Sequence, residues 1–320
     1  MKRRIISVLV IAFWILAALT GCTPAEARYE GFHMDTYVTL TARGRGSEAL
    51  LERCAQRLTE LENELSAYRR GSDIRRLNEA GGEWTALGGD AFKLLEESLQ
   101  YAELTGGAFD PTIFTAINAW DGMSGSVVPS DEALQILKPL VDYTGIELDE
   151  AGMRARLKPG QTIDLGAISK GYAADCLFAF YQEAGCAGII NLGGNVYAVG
   201  TKENGGKWRV GVQDPRGNGG LIEVIDASDI SAVTSGDYQR FFESGGEIYH
   251  HILDPETLKP ARTGLHSVTV ICESSTKADA LATAVFVLGR EAGGELLSRE
   301  GISALAVTDD WEAVWIGARE

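Results

Sequence analysis

Apolar positions along the chain change their period several times, and each change marks an element. From Ser47 onward, Leu50, Leu51, Cys54, Leu58, Leu61 and Leu65 recur at three- and four-residue intervals, the spacing that aligns side chains on one face of an α-helix. The run at 36–41 alternates instead, as a half-buried strand does. A second helix is predicted from Asp90, a capping residue, to the Gly106-Gly107 stop; a short third follows Ser130 as far as Pro139, and a fourth covers 167–184 and ends at Gly185. Between Gly188 and Ile225 the pattern shortens to β-rich runs at 189–190, 196–199, 208–212 and 221–224, separated by Gly, Asn and Asp. Runs at 238–243 and 247–253 flank Ser244-Gly245-Gly246 and predict a hairpin. A strand at 265–272 should feed a helix at 275–288, and strands at 302–307 and 313–316 close the chain. Hairpin-built strands mixed with segregated helices, without regular βαβ alternation, indicate an α+β fold: antiparallel sheets with packed helices. No internal repeat or low-complexity linker appears, so two lobes around a central cleft would be interwoven in sequence.

The N-terminus follows a different logic. Lys2, Arg3 and Arg4 precede a run at 5–19 that is apolar except for Ser7, the charged and hydrophobic regions of an export signal. Leu19-Thr20-Gly21-Cys22 resembles a bacterial lipobox, in which cleavage leaves a lipid-modified Cys22 as the new N-terminus. Residues 1–21 are therefore expected to be a lipoprotein signal peptide and 22–30 a tether, with 31–320 as the functional domain. The alternative is an uncleaved membrane anchor, for which the run is short. The expected location is extracytoplasmic, lipid-anchored to the bacterial cell membrane.

Composition narrows the partners. The 320 residues are 45% hydrophobic and 23% charged, which suits a packed core and excludes disorder and collagen-like repeats. With 29 basic and 45 acidic residues the net charge is −16, and losing Lys2, Arg3 and Arg4 with the leader makes it −19. No basic cluster offsets this, which excludes nucleic acid as a partner bound through phosphate neutralisation. An acidic body beside an anionic membrane would be held by lipid and not by charge. Cys54, Cys176, Cys186 and Cys272 match no zinc spacing. Their even number permits two disulfides in an exported chain, but the apolar helical positions of Cys54 and Cys176 favour buried thiols, and no required disulfide is expected.

Several familiar devices are missing. The chain has no GxGxxG and no Walker A loop, residues 122–126 fall one glycine short of a nucleophile elbow, and the four histidines include no HExxH pair.

Three segments place polar groups in apolar or glycine-rich surroundings. In the segment beginning at Lys277, Asp279 and Thr283 lie four residues apart on one helix face, where a carboxylate and a hydroxyl can address a single cation. The same pair also reads as an acid favourable near a helix N-terminus and a threonine bonded back to a carbonyl. Around Asp164, a Gly entering a helix could present backbone groups and Lys170 to phosphates, or Gly166 could simply permit the turn. Asp110-Pro111-Thr112 is either a turn closed by its own aspartate or a ligand-facing loop. His250 and His251 are adjacent near a strand end and so face opposite ways; at most one serves a site.

Met34-Asp35-Thr36, GGAFDPT, DLGAISKGYAAD, Asn191-Leu192-Gly193-Gly194-Asn195, Thr234-Ser235-Gly236-Asp237, HHILDP and ADALATA occur in the order seen in the ApbE family of FAD:protein FMN transferases, which this chain resembles from about Arg28 to Glu320. It departs at Glu256-Thr257-Leu258, where many members have Arg-Thr-Gly. The resemblance implies Mg²⁺ held by the Ala167 carbonyl with Asp279 and Thr283. It also implies FAD contacted by Met34, Tyr68, Ala108, Phe109, Asp110, Asp164, Lys170, Ile252 and Thr276. The implied reaction moves FMN from FAD to a threonine hydroxyl of an acceptor protein and releases AMP, with Asp279 or His251 as the base. Acceptors of this kind would be membrane electron-transfer subunits of the Rnf or Nqr type. Two other readings stay open at this point: an FAD pyrophosphatase using water at the same site, and a lipoprotein that binds flavin or another solute.

Overall fold

The computed structural model describes residues 26–120 and 127–318. The expected signal peptide and Cys22 lie outside them, as does the 122–126 segment. The strands and helices run β1 (Ala27–His33), β2 (Thr36–Arg43), α1 (Ser47–Leu65), α2 (Asp73–Glu79), β3 (Thr85–Ala86), α3 (Gly89–Leu104), α4 (Phe114–Ala119), α5 (Asp131–Leu137), β4 (Glu147–Asp149) and β5 (Arg154–Arg156). Then follow α6 (Ser169–Ala184), β6 (Ala187–Leu192), β7 (Asn195–Val199), β8 (Trp208–Gln213), β9 (Leu221–Ala227), β10 (Ile230–Gly236), β11 (Phe241–Ser244) and β12 (Glu247–His250). The chain closes with β13 (Leu265–Cys272), α7 (Ser275–Arg299), β14 (Ser303–Thr308) and β15 (Ala313–Gly317).

Eight strands form one sheet in the order β1-β2-β6-β7-β10-β13-β14-β15, and each neighbouring pair is antiparallel. Helices bury one face of it in two adjacent groups, and the β8–β9 hairpin packs on the other. The predicted stripe of α1 (Leu50, Leu51, Cys54, Leu58, Leu61 and Leu65) is buried together with α3, α6 and the faces of β2 and β6. The other half is a separate cluster in which Leu281, Val285 and Phe286 of α7 pack on Val268 and Val270 of β13 and Ala304 of β14. Each fully buried Leu or Phe contributes on the order of 1.5–3 kcal/mol, so these layers dominate the hydrophobic stabilisation. The α+β expectation holds, and Cys54, Cys176, Cys186 and Cys272 are free thiols.

Several boundaries differ from the pattern. The tether expected at 22–30 is shorter than that, because Ala27–Glu30 pair with Thr39–Ala42 in the sheet. β1 has no buried residue, so its apolar signal is weak. Helix α2 and the small β3-β5-β4 sheet were not predicted, being too short for a clear period. The expected end of the last helix at 288 falls where Gly289 turns left-handed (φ 79°), after which helical structure resumes to Arg299.

Leu258 also has a left-handed backbone, with φ 57°. Glycine takes that conformation freely, which accounts for the glycine expected at this position. Here the leucine side chain is buried in a cluster with Trp120, Leu134 and Leu253, and its carbonyl accepts a 2.9 Å bond from Trp120 Nε1. Packing offsets a backbone penalty of roughly 1–2 kcal/mol.

Helices α6 and α7 cross at Gly171. A Cβ there would overlap the Ser275 carbonyl oxygen and lie 2.8 Å from Asp279 Cβ, both on rigid helical backbone. Gly171→Ala is therefore expected to destabilise the protein by roughly 1–3 kcal/mol, because overpacking at a backbone contact cannot relax by rotamer change. Thermal unfolding would show this as a Tm several degrees below that of the unaltered protein.

Candidate active site

A cleft of about 1270 Å³ is lined by helix ends, loops and the sheet. Its walls include the β1–β2 turn, the end of α1, the 108–113 segment, the 164–170 turn into α6, β7 and β10 of the sheet with α7, part of β8, and the 238–240 and 251–255 segments. Met34, Tyr68, Ala108, Phe109, Asp110, Asp164, Lys170, His251 and Ile252 all line it, and so do Ala167, Asp279 and Thr283. Segments more than a hundred residues apart thus share one cavity.

One predicted residue does not reach it. Thr276 is buried and is not part of the cleft lining; its N–H and hydroxyl both donate to Asp175 Oδ2, at 2.9 and 2.6 Å. The resemblance made it a candidate for contacting FAD, but the first turn of α7 uses it as part of a cap. Asp110 lines the cleft yet also closes its own turn: Oδ1 accepts from Thr112 N (2.8 Å) and Thr112 Oγ1 (2.6 Å), and Oδ2 from Tyr143 N (3.1 Å). Both alternatives read from the sequence hold there at once. Tyr68 stands at the rim, 60% exposed, with its ring edge-to-face against Phe114.

Asp279 is fixed from the neighbouring helix. Its Oδ2 accepts a 2.9 Å bond from Gly171 N, whereas Oδ1 has no partner among the described residues. One turn further along α7, Thr283 Oγ1 lies 3.2 Å from Ser235 Oγ. With the Ala167 carbonyl these are hard oxygen donors, the kind Mg²⁺ prefers. Among the described residues no group of three or more His, Cys, Asp or Glu side chains could hold a metal. A set with one carboxylate suits a cation that completes its shell with water and phosphate oxygens.

The two histidines divide as strand geometry requires. His250 is buried, its Nε2 against the Ala261 carbonyl at 2.9 Å and its ring edge-to-face with Phe286. His251 faces the cleft, and its N–H and Nδ1 both sit 3.1 Å from the Arg240 carbonyl oxygen. A carbonyl can only accept, so Nδ1 carries the proton and Nε2 keeps a free lone pair. Burial, helped by the nearby positive charges of Arg240, His250 and Lys170, pushes the His251 imidazole down to about 4. It is neutral at physiological pH. Burial also raises the Asp110 and Asp164 carboxyls above the usual carboxylate range.

Three cleft residues escaped the sequence reading. Arg240 lies outside every recognised motif; besides orienting His251 it bonds Asp35 Oδ2 at 2.9 Å, tying the β1–β2 turn across the cleft mouth. Glu62 accepts from Met34 N at 3.2 Å. Asn195 is buried in the cleft wall, and the motif containing it drew no role.

Fold and cleft together define an α+β protein with an oxygen-lined, two-sided cavity suited to a large polar ligand. The ApbE family model matches residues 34–306, and the chain belongs to that family. It is 37% identical over 282 residues to the FAD:protein FMN transferase of Treponema pallidum, spanning 82% of this chain and 78% of that one. Against the enzyme of the same name from Vibrio cholerae the identity is 31% over 317 residues, covering 94% of each. The crystal structure of the ApbE protein from Thermotoga maritima superimposes with a TM-score of 0.86 at 31% identity, over 92% of this chain and 97% of that one.

The depressed His251 value has a consequence for stability. In the unfolded chain imidazole takes up a proton near 6.5, whereas His251 in the folded protein resists until about 4. Acidification between those values loads protons onto the unfolded state first, so stability falls as the pH drops. Asp110 and Asp164, whose carboxyls burial raises, act in the opposite sense, from the ordinary carboxylate value upward. The expected outcome is a Tm that declines from about pH 7 to about pH 5, and a smaller decline in His251→Gln, measured by thermal unfolding in matched buffers.

Proposed function

We propose that this protein transfers FMN from FAD to a threonine hydroxyl of an acceptor protein and releases AMP. The observation that carries the reading is the shared cleft, in which Ala167, Asp279 and Thr283 meet beside His251 and the FAD-contacting positions implied by the resemblance. The names of the relatives support flavin transfer.

FAD is held by walls of mixed character: Met34, Phe109 and Ile252 supply apolar surface, and Lys170 supplies positive charge toward the diphosphate. Lys170 Nζ, 3.0 Å from the Gly166 carbonyl, is kept at the mouth of α6. Mg²⁺ would be held by Ala167, Asp279 and Thr283, and when bound it supplies charge neutralisation for the diphosphate oxygens. The acceptor hydroxyl oxygen attacks the FMN-side phosphorus, the bond to the AMP oxygen breaks, and the hydroxyl proton passes to His251 Nε2. Asp279 is the weaker candidate for the base, because Oδ2 is engaged by Gly171 and Oδ1 is the oxygen left for the cation. His251 starts as a weak base, and the negative diphosphate beside it draws its proton affinity upward.

The acceptor would be a membrane electron-transfer subunit of the Rnf or Nqr type, met outside the cytoplasm by an enzyme anchored through lipid on Cys22. No helix among the described residues is long and apolar enough to cross a membrane. Cys22→Ala should move the protein from the membrane fraction to the soluble fraction after cell lysis.

The decisive experiment incubates the protein with FAD, Mg²⁺ and the soluble domain of an Rnf-type subunit, followed by mass spectrometry of that domain. Covalent FMN supports transfer; free FMN with an unmodified acceptor would establish a pyrophosphatase instead. Asp279→Ala should abolish turnover. His251→Ala should lower kcat by about 10²–10⁴ while FAD stays bound, and loss of FAD binding would refute the assigned role.

A further inference from the structure

The outer face of the first hairpin is apolar at its tip and uncovered. Phe32 and Tyr37 stand directly opposite each other on β1 and β2, so their rings share one face, and they are 68% and 56% exposed. The inner face of the same strands is committed to the core: Val38 and Leu40 of β2 are buried with α1, and Tyr29 of β1 packs on that cluster. Toward the middle of the sheet the outer face is covered by the β8–β9 hairpin, where Trp208 and Val210 pack with Ala198 of β7 and Ala232 of β10. β1 is the outermost strand, so nothing of the sheet lies beyond it.

Electrostatics limits what can cover the two rings. The chain is strongly acidic, yet each acid between residues 26 and 43 is matched by an arginine: Glu26 by Arg43 (2.7 Å), Glu30 by Arg28, and Asp35 by Arg240 (2.9 Å). Glu30 also accepts from the Tyr37 hydroxyl at 2.5 Å. This face carries no uncompensated negative charge, so it can approach an anionic surface that repels the rest of the body.

The tether says which surface. With lipid on Cys22, only residues 23–26 separate the anchor from Ala27, the first residue of β1, and five fully extended steps span at most about 18 Å. β1 itself is roughly 20 Å long. The hairpin is thereby confined to a layer next to the bilayer, and its uncovered face is the part of it that can lie on lipid. Aromatic rings suit that boundary, where the apolar body is buried and a hydroxyl such as that of Tyr37 stays wet. A protein partner could also cover two rings, but no feature of the chain holds one against this face.

We infer that the outer face of the β1–β2 hairpin, through Phe32 and Tyr37, rests on the phospholipid headgroup interface of the membrane that holds the Cys22 lipid. The inference depends on the lipid anchor proposed above and adds the face that the anchor presents. Phe32 also lines the cleft, so this docking turns the cleft mouth to the bilayer surface, where a membrane-embedded acceptor displays its threonine.

The test uses the full-length acylated protein in vesicles of phosphatidylglycerol and phosphatidylcholine, with and without bromine on the acyl chains of the phosphatidylcholine. Phe32→Trp and Tyr37→Trp each place a tryptophan on the face, and the emission that each adds to that of wild type should be lost in brominated vesicles. Trp315, 49% exposed on the strand at the opposite edge of the sheet, is a built-in control, and wild-type emission should change little. Added emission that persists in both variants overturns the inference. Quenching of wild type to the same extent also overturns it, because the anchored body then presents no preferred face. If a soluble acceptor domain shifts the Phe32→Trp emission and bromine does not, the inference is overturned and the face belongs to the acceptor. Mass spectrometry of the purified protein checks the anchor separately: an unacylated Cys22 defeats the lipoprotein reading, and the inference falls with it, whereas an acylated Cys22 with unquenched variants defeats the inference alone.

Discussion

The crossing of α6 and α7 determines where every reactive group stands. The two helices fasten each other reciprocally. Gly171 of α6 donates its N–H to Asp279 of α7, and one turn later Asp175 of α6 accepts from the Ser275 N–H (2.8 Å), the Thr276 N–H and hydroxyl, and the Ser274 hydroxyl (3.1 Å). A carboxylate at a helix N-terminus satisfies donors that have no partner within the helix and meets the positive end of its dipole. Close approach requires the missing side chain at Gly171. Ala167, in the turn that leads into α6, lines the same cleft as Asp279.

Electrostatics of burial complete the arrangement. The protein carries a large negative charge, and in the cleft Arg69, Lys170 and Arg240 stand against Asp35, Glu62, Asp110, Asp164 and Asp279. Arg240 contributes twice: its guanidinium bridges to Asp35, and its carbonyl fixes the tautomer of His251. Desolvation keeps that imidazole neutral without a carboxylate partner. A neutral ring with one nitrogen committed to a carbonyl can take a proton at the other, whereas an imidazolium could not.

Polar groups singled out by the motifs fall into two kinds. Asp110 in the cleft and Thr276 outside it have their bonds satisfied within the protein and stabilise a turn and a helix start. Asp279 Oδ1 does not. Unmatched polar groups are tolerated in a folded protein when a ligand completes them, and that distinction separates scaffold from site more sharply than position in a motif does.

Periodicity in the sequence was enough for α1, α3, α6 and most of the antiparallel strands from β6 onward, because each carries its own buried stripe or alternation; β10 at Ile230–Gly236 was not among them. The long glycine-rich motifs were enough to bring out Asp279, Thr283, Asp164 and Lys170, whose chemistry is written in the residue type. Face assignment in a strand likewise limited His250 and His251 to one functional ring. β1 stayed hidden because an edge strand with no buried residue has little apolar signal. Only the tertiary structure could show that Thr276 turns away to Asp175 and that Arg240 orients His251. These are relations between segments tens to hundreds of residues apart, made by the packing of helices on a sheet. Local spacing records which face a side chain occupies; what waits opposite that face is decided when the chain folds.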